Sequence, residues 1–170
     1  MDILKAATDW GKAEVFSAQF FILFGVLFLL ASAGFWQLGK TDLARAYVVP
    51  VLVAGVLLLV IGLGLYFTNQ SRLTNFAAAY DSDASAFVEA EIARTERTLK
   101  EYQLVVLKVI PLIIVVAALL IVFLDQPNWR AISITCIAMM AVILLIDTNA
   151  HARIEAYHGQ LEMALVQLKS

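Results

Sequence analysis

The sequence predicts an all-α, polytopic membrane protein: four transmembrane helices as two antiparallel hairpins, with helices extended into a cytoplasmic helical bundle. Three observations carry this reading. Four apolar stretches, Val15 to Trp36, Ala44 to Phe67, Leu104 to Leu124 and Ala131 to Ile146, approach the ~20 residues that cross a bilayer as a helix. None holds a charge at its centre, where one costs about 2.5–3.5 kcal/mol on insertion scales. The composition is 62% hydrophobic and only 15% charged, with a mean hydropathy of +0.84, against ~25% charged residues in soluble domains. The segments between spans two and three and after span four carry apolar residues at steps of three and four, the seam of packed helices.

Residues 1–13, with Ile3, Leu4, Ala7 and Trp10 before Gly11, read as an N-terminal segment on the inner membrane surface or as the first turns of span one. Span one covers 14–37. Ala31, Ser32 and Ala33 match a signal-peptidase pattern, but the apolar run exceeds the usual 7–15 residues and acidic residues Asp2, Asp9 and Glu14 precede it, so the segment reads as a span. Ala18, Gly25, Ser32 and Gly39 recur every seven residues, as do Gly55 and Gly62 in span two (44–67). Small residues at that spacing let helix backbones approach in lipid, within or between chains.

The connection from Leu38 to Leu43 offers Gly39 as a stop and Thr41 or Asp42 as a cap, so spans one and two are antiparallel neighbours. Pro50 and Pro111 each remove a helical hydrogen bond and are expected to kink their helices, a geometry that also serves as a hinge. Residues 68–103 form a cytoplasmic helical hairpin. Leu73, Phe76, Ala77 and Tyr80 extend span two, Asp81 to Ser85 turn the chain, and Val88, Ile92, Thr95, Leu99, Tyr102 and Val106 lead without a break into span three (104–124). A proline turn between Asp125 and Arg130 leads to span four (130–147). The C-terminal helix, 148–170, shows an apolar face of Ala150, Ile154, Tyr157, Leu161, Leu165 and Leu168, and is expected to complete a three-helix bundle with the hairpin.

Basic residues set the orientation. Lys5, Lys12, Arg72, Arg94, Arg97, Lys100, Lys108, Arg153 and Lys169 fall on one side, and Lys40, Arg45 and Arg130 on the other. Both termini and the central hairpin are then cytoplasmic, and short outer turns suit a bacterial inner membrane.

Lys+Arg 12 against Asp+Glu 14 leaves no basic excess for nucleic acid. The lone Cys136 lies in span four and makes no intrachain disulfide. Phosphate loops, nucleophile elbows, Cys-x-x-Cys and His-Glu-x-x-His motifs are absent from the sequence. Polar groups in the spans are sparse. Ser133 and Thr135, with Ser32, are candidate pore-lining residues, and Lys108 and Asp147 fall at similar depth as a candidate interfacial ion pair. Asp147, His151, Glu155 and His158 share one face of a helix, and Glu155 and His158 have the Glu-x-x-His spacing of carboxylate-bridged metal bundles, although such bundles need a second copy of that motif.

The leading expectation is a non-enzymatic protein that self-associates and acts as a channel or as a scaffolding, accessory membrane subunit. Its partners are the bilayer, further copies of itself and a protein bound to the cytoplasmic bundle. No cofactor is expected. The alternative is a metal-dependent membrane oxidoreductase using the Glu155/His158 stripe.

Overall fold

The computed structural model describes residues 2–169, and every regular element among them is helical. Six α-helices follow in order: α1 (Ile3–Leu38), α2 (Asp42–Ala46), α3 (Val48–Ser82), α4 (Ala84–Leu104), α5 (Ile110–Phe123) and α6 (Pro127–Lys169), with a π-helical turn at Val105–Val109 between α4 and α5. Taken with their continuations, four of these units are long and apolar enough to cross a membrane. The fold is that of an integral membrane protein.

Local chemistry explains where the helices start and stop. Asp2 caps α1 by accepting from the Lys5 amide at 3.0 Å. Gly39 ends it, its amide donating to the Phe35 carbonyl at 3.0 Å, and a Cβ at this position would collide with that carbonyl. Gly39 is therefore a stop, not part of the packing stripe. Thr41 caps α2 through the Ala44 amide, at 3.1 Å. One residue makes the turn between α3 and α4: the Asp83 amide donates to the Ala79 carbonyl at 3.3 Å while its side chain accepts from the Ala86 amide at 2.9 Å. Pro127 opens α6 at its first position, where its missing N–H costs nothing.

Both internal prolines stand where the helical hydrogen-bond pattern accommodates them. The helix carrying Pro50 begins at Val48, so Pro50 stands in the first turn, where few hydrogen bonds can be lost. Ahead of Pro111 the helix widens into the π turn, with the Ile110 amide donating to the Val105 carbonyl. Opening that turn relieves the clash between a proline ring and the preceding turn. Helix three is thus continuous but not uniformly α-helical.

Helices α1 and α3 run in opposite directions in close contact: Gly11 meets Leu73, Gly25 meets Leu59 and Gly62 meets Ile22. A Cβ at Gly62 would stand 2.8 Å from the Ile22 backbone nitrogen, and one at Gly55 would stand 3.0 Å from the Gly25 carbonyl oxygen. Ala18 and Ser32 are buried, and the Ser32 hydroxyl donates to the Val48 carbonyl at 2.7 Å. Small residues are what this approach requires. Phe21, Leu58 and Ile146 form one core cluster among α1, α3 and α6, while Val106, Ile110 and Met140 join the third helix to α6. Away from α6, α5 turns Leu112, Val115, Leu119 and Val122 outward.

A third core cluster lies at the more charged ends of the helices. Ile3, Ala7 and Trp10 of α1 pack with Phe76, Phe87, Val88, Ile154, Tyr157 and Leu161. Residues 3–13 are therefore the first turns of α1, the second of the two readings of this segment, and their buried face adds a fourth helix to a core expected from sequence to hold three.

Candidate functional site

Polar side chains gather where the apolar core of the spans gives way to this charged-end core. Each is carried there by a helix whose apolar face is already committed to packing. Glu91 is 8% exposed on α4, and it is stabilised by three hydrogen bonds. Arg94, one turn on, donates through Nε at 2.9 Å and Nη2 at 2.6 Å, and the Tyr157 hydroxyl of α6 donates at 3.1 Å. The fork-to-fork pair supplies the partner that a buried carboxylate needs. Arg94 also lies over the Trp10 ring, 4.2 Å from its centroid, and Trp10 stacks on Tyr157 at 5.3 Å. Three helices are joined in this way. Burial, and then the Glu91 charge, push the Tyr157 phenol well above its usual range.

A second connection joins α1 to α6: Arg153 donates to Glu14 at 3.0 Å and to the Ser17 hydroxyl at 2.7 Å. On the other side of α6, the rings of His151 and Tyr102 stack at 4.0 Å, and His158 Nδ1 lies 2.8 Å from the Thr95 hydroxyl. Thr95 is fully buried.

Among these groups lies a cavity of about 620 Å³. Trp10, Asn69, Arg72, Arg94, Thr98 and His151 are among the residues on its polar wall, and Phe21, Ile61, Leu65, Val105, Val106 and Ile143 on its apolar wall. Asp147 faces it between the two. Arg72 Nη1 donates to the buried Asn69 side chain at 3.3 Å, and among the described residues no carboxylate lies within ion-pair distance of it. Burial, and then the neighbouring Arg94 charge, push the Arg72 guanidinium below its usual range. The arrangement is suited to holding a polar group against an apolar tail; the Thr95 hydroxyl that meets His158 is fully buried and does not line the cavity.

The four donors proposed from the Glu-x-x-His spacing are not brought together. Among the described residues no group of three or more His, Cys, Asp or Glu side chains is placed to hold a metal ion. The common face is real, but eleven residues of helix spread these groups over about 16 Å. Glu155 points outward, His158 turns to Thr95 and Glu162, His151 stacks on Tyr102, and Asp147 faces the cavity. The expected Lys108–Asp147 ion pair is also absent: Lys108 is exposed on the π turn, whose extra residue rotates the helix off its α-helical phase.

Ser133 and Thr135, 1% and 5% exposed, are buried within the chain, and neither hydroxyl has a hydrogen-bond partner. Sequence reasoning did not bring Trp10, Glu91 and Tyr157 together. Phe87, Val88, Glu91 and Thr95 do mark one face of α4, and a carboxylate at a seam position signals a buried partner.

No protein-family model matches the chain, and comparison with curated proteins and with solved structures finds no match. The class defined by the fold is therefore the coarse one, an all-helical integral membrane protein with four spans.

Proposed function

We propose that this protein is a non-enzymatic accessory subunit of a bacterial inner membrane. In this reading its spans form two antiparallel hairpins, both termini are cytoplasmic, and the charged-end core is a rigid cytoplasmic bundle to which a partner couples. One observation carries the reading: helices of 36, 35 and 43 residues (α1, α3 and α6) run from the apolar spans into that core without interruption, where the Trp10, Tyr157, Glu91 and Arg94 cluster locks α1, α4 and α6 together. Such a body transmits displacement between membrane and cytoplasm instead of absorbing it in flexible joints.

The outward face of α5 supplies the lateral surface for assembly, with another copy or with a different protein. A channel is less well supported. Ser32, Ser133 and Thr135 are turned into the chain, which removes them from any axis between subunits. The scatter of His151, Glu155 and His158 likewise weighs against metal-dependent oxidoreduction.

Photo-crosslinking in the membrane of origin tests the proposal. A photoreactive side chain at Leu119, half exposed on α5, should capture one protein of defined mass, whereas one at Ala117, 5% exposed, should capture none. Adducts absent at Leu119, or equal at both positions, would refute the accessory role.

A further inference from the structure

The cleft between α3 and α4 has a polarity gradient to which α1, α3 and α4 contribute in the same order, while α6 places Ile154 and His151 toward the polar end and Asp147 and Ile143 deeper. Along α3 the lining residues run from Arg72 and Asn69 to Leu65 and Ile61; along α4 and the π turn, from Arg94 and Thr98 to Val105 and Val106; along α1, from Trp10 and Glu14 to Phe21. From Arg72 to Ile61 is eleven residues, about 16 Å of helix at 1.5 Å per residue. Leu65 and Val105, 43% and 44% exposed, leave the apolar end open to the bilayer between spans two and three.

Arg72 stands at the polar end, donating to the Asn69 amide oxygen and, among the described residues, in no direct ion pair. Arg94 nearby is paired with Glu91, whose charge also reaches Arg72 but lies beyond ion-pair distance of it, so the two guanidiniums share one carboxylate. The carboxylates on the cavity are turned elsewhere or set apart. Glu14 is held by Arg153, Glu101 is exposed, and Asp147 lies deeper, next to Ile146, which packs with Phe21. A planar guanidinium in no direct ion pair, beside a second one with which it shares a single carboxylate, matches the phosphate of a lipid headgroup at a membrane boundary.

We propose that this cleft binds one anionic phospholipid, its phosphate on Arg72 and an acyl chain along Leu65, Ile61, Val105 and Val106. The inference needs the membrane spans but not the accessory role, so the two fail separately.

Native mass spectrometry of the full chain, released from vesicles of mixed phosphatidylglycerol and phosphatidylcholine, tests it. The wild type should retain one phosphatidylglycerol per chain. Arg72→Gln should reduce that retention about tenfold or more, the loss of a charge-assisted hydrogen bond. Leu65→Trp, at a half-exposed position that tolerates bulk, should also abolish retention by filling the chain half of the cleft. Lys108→Gln, which removes an exposed charge outside the cleft, should leave it unchanged. Thermal unfolding at the wild-type temperature establishes that each variant is folded. Equal retention of phosphatidylcholine, unchanged retention in Arg72→Gln, or displacement of the lipid by excess inorganic phosphate would overturn the proposal, the last by identifying free phosphate as the ligand.

Discussion

Replacing Gly62 by Ala, compared with the same change at Gly64, isolates the close approach of α1 and α3. The two positions lie two residues apart in one helix, so the gain in helix propensity, about 1 kcal/mol for Gly to Ala, is common to both. Nothing stands within 4 Å of a Cβ at Gly64. At Gly62 the new methyl would be 2.8 Å from the Ile22 nitrogen and 2.9 Å from the Phe21 Cβ. Carbon contacts are optimal near 3.5–4.0 Å, so the helices must part locally by about 0.7–1 Å, which sacrifices a quarter to a half of each dispersion contact across that seam. The penalty expected for such overpacking is about 1–3 kcal/mol. Reversible unfolding in mixed detergent micelles, followed by helicity, should place Gly62→Ala below Gly64→Ala by that amount. Adding Ile22→Ala should rescue only part of the loss, because it removes the Ile22 Cγ1 contact at 2.8 Å but leaves the Ile22 nitrogen at the same distance. Equal stability of the two single variants would refute the packing argument.

Three further outcomes follow from the polar contacts. Tyr157→Phe removes one of three hydrogen bonds to Glu91 and should cost about 1–2 kcal/mol. Because the folded state raises the Tyr157 pKa, the neutral phenol's contribution is complete below the unfolded value of 10.0 and declines as pH rises above it. Wild-type stability should therefore fall by up to about 1.4 kcal/mol per pH unit there, and Tyr157→Phe should lack that slope in the same denaturation series. Arg153→Met leaves Glu14 without its cation and should destabilise the fold by about 2–3 kcal/mol, with Glu14→Gln added to it restoring much of the loss in a double-mutant cycle. Asp83→Ala removes the cap of α4 and should cost about 1 kcal/mol, detected as faster hydrogen exchange in the first turn after Asp83.

The spans and the main packing seams were legible because they depend on composition and periodicity. Hydropathy places four long helices, small residues at seven-residue spacing place the α1/α3 contact, and Thr41 and the acidic turn near Asp83 announce caps. Residues 3–13 stayed open between an interfacial segment and the first turns of span one because Lys5, Asp9 and Lys12 lend them an interfacial appearance. Ile3, Ala7, Trp10 and Gly11 nonetheless fall on one helical face, the face that is buried. Pro50 depended on a helix boundary that hydropathy places only approximately, and Pro111 was met by a one-residue change of phase that leaves no compositional trace. The histidine stripe shows a different limit: residues on one face of one helix are not a site until other helices bring donors to the same level. The polar cluster around Glu91 is that case in reverse, since Trp10, Arg94 and Tyr157 come from segments widely separated in sequence.

The accessory role is tested most directly by the mass and ion conductance of the assembly extracted in lipid nanodiscs from its own membrane. The account predicts a non-conducting particle whose protein mass is not an integral multiple of the 18.7 kDa chain, because a different protein is present. A conducting particle of identical chains would contradict it.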